Sequence, residues 1–157
     1  MDMLTGNNTT SPGYAGTFPS PTTTPATFAG AITFVTAATD NVTALSVVQP
    51  LNNAQFCSYT PTLVRAVIRN VGSNPQTNIP VTAVYTTSTT SNTVTGTYTG
   101  ILAPFTSDTV VIGTILPPPG VYSVKAYTQL GTDPVQINDT TPGAIGFTYK
   151  PVVPVPV

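Results

Sequence analysis

The side chains able to do chemistry are few and scattered. The 157 residues hold no histidine, and the five acidic residues are all aspartates: Asp2, Asp40, Asp108, Asp133 and Asp139. General acid-base work would fall to these, to lysine or to tyrosine, and no two carboxylates stand at a spacing that makes an acid and base pair. The expectation is a protein with no catalytic residues, not an enzyme. Asp133, Asn138 and Asp139 carry oxygens of the kind that a hard cation such as Ca²⁺ accepts. The preferred reading of the same stretch is a turn whose Asn and Asp side chains cap backbone groups ahead of the last strand. Cys57 is the one cysteine, so no internal disulfide forms, and it reads as a small buried hydrophobe rather than a cross-link to a second chain. No group of residues asks for a cofactor.

Charge narrows the classes further. Only 6% of residues are charged, and the net charge is −1, so copies of the chain repel one another weakly. Arg65, Arg69, Lys125 and Lys150 are the four cations. They are dispersed, whereas nucleic-acid binding needs a clustered positive face. No run approaches the roughly 18 to 20 apolar residues of a membrane-spanning helix, so membrane insertion is not expected. The opening "MDMLTGNN" has neither the basic start nor the apolar run of a signal peptide, so either processing has removed a leader or the chain was never exported by that route. Asn7, Asn8, Asn41 and Asn138 each head an N-x-Ser/Thr sequon, a pattern that arises easily in a chain so rich in Thr and Asn.

The elements that must position these residues are strands. Thr, Val, Ile, Gly and Pro are poor helix formers, and no apolar 3.6-residue repeat lasts three turns. From Asn41 onward, short apolar or alternating runs recur between turn signals: "VTALSVV", "TLVRAVIR", "IPVTAVYT", "VTGTYTGI", "TVVIGTI", "VYSVKAYT" and "AIGFTY". Seven such runs predict an antiparallel β-sandwich or barrel. In the second, Val64, Ala66 and Ile68 face inward while Arg65 and Arg69 face water; in the third, Ile79, Val81, Ala83 and Tyr85 share one face.

The fragments "NVTALSVVQP", "YTPTLVRAVIRNVGSNPQTNIPVTAVY", "TYTGILAPFTSDTVVIG", "PPPGVYSVKAYT" and "DPVQINDTTPG", in that order, resemble the CARDB-type module. That module is an immunoglobulin-like β-sandwich found in tandem in large bacterial surface and adhesion proteins. The resemblance covers about residues 41 to 149. It rests chiefly on Arg69-Asn70-Val71-Gly72-Ser73, Asn78-Ile79-Pro80-Val81, the turn from Leu102 to Asp108, and Asn138-Asp139-Thr140. It implies an extracellular, non-enzymatic sandwich of about seven strands with no catalytic residue to carry over. Tyr122, following "PPPG", stands where such sandwiches place a corner tyrosine whose hydroxyl returns to backbone; plain core packing of its ring is the alternative.

Residues 1 to 40 form a Thr- and Pro-rich arm outside this resemblance, and residues 150 to 157, "KPVVPVPV", form a Pro/Val tail or linker. Extended at about 3.3 Å per residue, the arm reaches roughly 130 Å, against a radius of gyration of about 13 Å for the sandwich. Its one strand-like piece is "AITFVT", about residues 31 to 36, where Ile32 and Phe34 alternate with Thr33 and Val35. The expected role of Ile32, Phe34 and Val35 is inter-subunit: a strand added to the sheet edge of a neighbouring copy. Pairing within its own domain is weighed equally. The functional expectation is a self-assembling subunit or repeat of an extracellular bacterial fibre or adhesin at the cell surface. The alternatives are an adhesion module that binds a glycan or host ligand through loops such as "SNPQTN" or "QLGTDPVQIND", and a virion or phage-tail decoration protein.

Overall fold

A computed structural model of the chain describes residues 38–150, which lie within one compact unit, Thr36–Val157. Eight strands follow in order: β1 (Val42–Gln49), β2 (Ala54–Phe56), β3 (Thr62–Asn70), β4 (Ile79–Thr86), β5 (Ser91–Tyr98), β6 (Ser107–Ile115), β7 (Gly120–Thr128) and β8 (Ile145–Tyr149). A single 3-10 turn, Gln136–Asn138, interrupts the long β7–β8 connection. Strands β1-β3-β6 form one sheet and β2-β8-β7-β4-β5 the other. The domain is an immunoglobulin-like sandwich, as the alternation predicts. Among the described residues no helix is long and apolar enough to cross a membrane.

The strands form where the inward residues alternate. Along β3, Val64, Ala66 and Ile68 are fully buried while Arg65 and Arg69 are exposed. Across the interior, β4 presents Ile79, Val81 and Ala83, and β7 presents Val124 and Ala126. Each fully buried Val or Ile side chain stabilises the fold by about 1.5–3 kcal/mol, and each Ala methyl by less. At one end the core is aromatic. Tyr122 stacks on Phe147 with centroids 5.2 Å apart and planes 16° apart, and Phe56 meets Phe147 edge-on at 5.9 Å.

Four features differ from the sequence reading. Strand β2 is an eighth strand and pairs in parallel with β8, Ala54 opposite Phe147 and Phe56 opposite Tyr149; three residues are too few to show a period. Strand β5 begins at Ser91 and ends at Tyr98, earlier than the run "VTGTYTGI", because its register with β4 sets Thr86 opposite Ser91 and Ile79 opposite Tyr98. Cys57 is exposed, not buried: the half-buried inward place at the end of β2 is taken by Phe56, and Cys57 follows it into the loop toward β3. The sandwich also begins before Asn41. The carbonyl of Thr39 accepts from the Asn74 N–H at 2.9 Å, and Asp40 Oδ1 accepts from Gln76 Nε2 at 2.6 Å.

Connectivity gives the sandwich two distinct ends. Strand β1 starts at the end formed by the β3–β4, β5–β6 and β7–β8 connections, and β8 finishes at the opposite end, beside Gly120. Along one side the two sheets come into backbone contact: a Cβ on Gly96 of β5 would lie 2.7 Å from the Cα of Ile112 on β6. At the entry end, a Cβ on Gly72 would lie 2.8 Å from the backbone nitrogen of Asn41, with the Thr39 carbonyl closer still. Gly72→Ala should therefore destabilise the domain by about 2–3 kcal/mol in denaturant melts. Gly131→Ala, where a Cβ meets nothing within 4 Å, should stay within about 1 kcal/mol of wild type.

Candidate functional site

The polar residues of the sandwich collect at its entry end. Asn70, fully buried at the end of β3, donates from Nδ2 to the carbonyls of Asn74 (2.7 Å) and Leu102 (3.0 Å), while its Oδ1 accepts the Gly72 N–H (3.0 Å). One side chain thus organises two connections, which is why Asn70 and Gly72 stand together in "RNVGS". Both are structural.

The β7–β8 connection brings Asp133, Asn138 and Asp139 to the start of β1. Asp133 is buried; its Oδ2 accepts the Val42 N–H at 2.7 Å and its Oδ1 the Val135 N–H at 2.7 Å. The Thr43 hydroxyl donates to the Asn138 carbonyl, and Asn138 Nδ2 donates to Asn41 Oδ1 at 3.0 Å. The carbonyl of Asp139 accepts from Ala44 of β1 (3.2 Å) and from Thr128 of β7 (3.1 Å). Thr128 in turn donates from Oγ1 to the Val42 carbonyl at 2.8 Å. Asp133 caps the Val135 N–H within the turn, the kind of bond the turn reading expects, but its other oxygen and the Asn138 amide reach partners far along the chain, Val42 and Asn41.

Two side-chain oxygens in this group have no partner. Asn138 Oδ1 and Asp139 Oδ1 are both buried and accept no hydrogen bond. The Asp139 carboxyl, on a residue only 8% exposed, is pushed up to about 6, first by burial and second by the charge of Asp133, with the Thr128 hydroxyl acting in the opposite sense. Among the described residues no three His, Cys, Asp or Glu side chains gather around one point, so a cation here would draw on amide oxygen as well as carboxylate. Two residues of the group escaped the sequence reading: Thr128 looked like a plain strand terminus, and Asn41 stood out only as a sequon.

Beside Asp139 opens a pocket of ≈ 350 Å³ lined by Leu130, Gly131, Gln136 and Thr140, with Tyr127 at its margin. A second hollow of ≈ 330 Å³ lies over the outer face of the five-stranded sheet, against Val84, Ser123 and Lys125, and shares Tyr127 and Thr140 with the first.

The remaining candidates lie elsewhere. Tyr122, at the far end, donates its hydroxyl to the Pro118 carbonyl at 2.8 Å while its ring packs on Phe147; burial, and then the neighbouring Tyr85, raises its pKa. Asp108 accepts from the Tyr98 hydroxyl at 2.7 Å and from the Thr109 N–H at 2.7 Å, bonds that lower its pKa, the tyrosine's first. Both groups are exposed and join β5 to β6. Asn7, Asn8, Ile32, Phe34 and Val35 lie outside the described residues.

No family model and no curated protein matches the sequence. Among solved structures the fold is that of a CARDB domain. The CARDB domain of a Pyrococcus furiosus protein, crystallised in complex with di-metal ions, matches with a TM-score of 0.52 at 11% identity, over 75% of this chain and 100% of that one.

The raised Asp139 pKa has a defined consequence for metal-free protein. Below pH about 4 the carboxyl is protonated in both the folded and unfolded states. Between about 4 and 6 the unfolded chain releases its proton first, so stability falls as pH rises and levels off above 6. Asp139→Asn should remove this slope and stabilise the metal-free protein at pH 7 by up to about 3 kcal/mol, read as the difference between wild-type and variant melts from pH 4 to 8.

Proposed function

We propose that this chain is a structural module of the bacterial cell surface, without enzymatic activity, that associates end to end with copies of itself through the segment preceding β1. The observation that carries this reading is the path of the chain: it enters the sandwich at one end and leaves at the other. Tension between neighbours would then run along the strands rather than peel them apart. The CARDB-like fold, a fold on which many functions can be placed, agrees with a load-bearing part.

Strand addition needs an open sheet edge. The edges of β5 and β6 lie against each other, and the first half of β1 is bonded to Asp133 and Asp139. Among the described residues, the second half of β1, with half-exposed Leu45 and Val48, and the three-residue β2 are the edges with no further strand beside them. In this reading Ile32, Phe34 and Val35 of one copy anchor such a strand on the next, a heterologous contact that propagates into a filament. Weak charge repulsion favours the same outcome.

A second reading is carried by the pocket beside Gln129–Gly131 and Gln136. Its polar lining and the half-buried Tyr127 ring suit a sugar, bound through the loop "QLGTDPVQIND".

Sedimentation and negative-stain microscopy discriminate. The full chain should form concentration-dependent assemblies, and residues 37–157 should remain a folded monomer; equal assembly by both would eliminate the arm as the linking element. Glycan binding predicts that Tyr127→Ala abolishes saturation transfer to bound oligosaccharide without changing assembly.

A further inference from the structure

We propose that Asp133, Asn138 and Asp139 form a calcium site that locks the β7–β8 connection onto the start of β1. The proposal begins from two buried oxygens that accept nothing, Asn138 Oδ1 and Asp139 Oδ1. They belong to consecutive residues at the end of one 3-10 turn. The large majority of buried side-chain polar atoms in folded proteins are hydrogen-bonded; Thr62 Oγ1 and Tyr149 Oη are also buried without a partner here, but they are neutral hydroxyls, and an unpartnered carboxylate oxygen on a residue only 8% exposed is the stronger departure.

What could complete these atoms is constrained by their surroundings. The Val42 N–H is taken by Asp133 and the Val135 N–H likewise. The Ala44 and Thr128 N–H groups are taken by the Asp139 carbonyl, and the Thr128 hydroxyl by the Val42 carbonyl. The Asn138 amide nitrogen is taken by Asn41. The Thr128 hydroxyl also reaches the Asp139 carboxyl, yet Asp139 Oδ1 and Asn138 Oδ1 accept from none of these donors. A hard cation is what a set of carboxylate and amide oxygens without donors binds. Asp133 keeps a second lone pair on each oxygen after accepting its two N–H bonds. With Asp139 Oδ1 and Asn138 Oδ1, these give oxygen ligands from three side chains, the remainder being water. A mixed set on an irregular loop suits Ca²⁺ better than Mg²⁺, which demands near-ideal octahedral geometry.

The site would act on the fold as well as on the ion. Asp133 binds β1 by its carboxylate, and Asp139 binds both β1 and β7 by its carbonyl. An ion held between their side chains fixes the connection where the two sheets meet. Affinity in the range of extracellular modules, Kd on the order of 10⁻⁴–10⁻³ M, is expected from so few protein ligands. The inference concerns the sandwich alone and does not depend on how copies associate.

Thermal melts of the full chain at pH 7 test it, with EDTA, with 10 mM CaCl₂ and with 10 mM MgCl₂. Wild type should gain roughly 5 °C with calcium over EDTA and markedly less with magnesium. Asp139→Asn keeps the size of the side chain, so it should fold and lose the calcium increment, while Asp108→Asn, at an exposed carboxylate on β6 separated from β1 by strand β3, should retain it. A wild-type increment below 1 °C, an equal increment with magnesium, or an undiminished calcium increment in Asp139→Asn would each overturn the assignment.

Discussion

The two sheets of this sandwich are tied together at the entry end by one connection. Residues 133 to 141 leave β7, cross to β1 and return: Asp133 takes the Val42 N–H, the Asp139 carbonyl is shared by Ala44 and Thr128, and Thr141 exchanges bonds with Ala126. A three-stranded sheet packed on a five-stranded one is held mainly by apolar contact, which is non-directional and tolerates sliding. Directional bonds from one segment to both sheets remove that freedom. They also occupy the first half of the β1 edge, which would otherwise present unpaired backbone groups to any passing strand.

The same strap explains why the polar chemistry of the chain is concentrated where it is. Pinning β1 to β7 across the sandwich buries carboxylates and amides that would otherwise be solvated, and burial of a charged group must be compensated by bonds or by a change in its ionisation. Asp133 is compensated by two backbone N–H groups. Asp139 spends its carbonyl on the strap and leaves one carboxylate oxygen without a partner, the group raised to about 6 by burial and by the charge of Asp133 despite the opposing Thr128 hydroxyl. At the far end of the sandwich Tyr122, Phe147 and Tyr149 fill the interior with rings; the Tyr122 hydroxyl finds a backbone carbonyl, while two neutral hydroxyls, those of Tyr149 and Thr62, are buried without a partner and no carboxylate is.

Much of this was legible from residue order. The alternation of Val64, Ala66 and Ile68 against Arg65 and Arg69 predicts which face of β3 is buried, since a strand whose side chains alternate can bury only one set. Strand β2 was invisible because three residues carry no period, and it exists only because β8 offers an edge beside it. Cys57 misled for a related reason: hydrophobicity ranks it as a core residue, but the place it would fill belongs to Phe56. The start of β5 was misjudged because "SNT" has no apolar residue, and its strand character comes from pairing with β4.

Residue order by itself determined an all-β chain with almost no charge, a buried face on each long strand, and a loop bearing Asp133, Asn138 and Asp139. These follow from properties each residue carries locally: β-branching, alternation and turn chemistry. Only the tertiary structure decided what those three residues face. Asp133 meets a backbone nitrogen 91 positions away, and no local preference selects a partner at that distance. The choice is made by the packing of two sheets, which brings β1 beside the loop and leaves two oxygens buried without a donor.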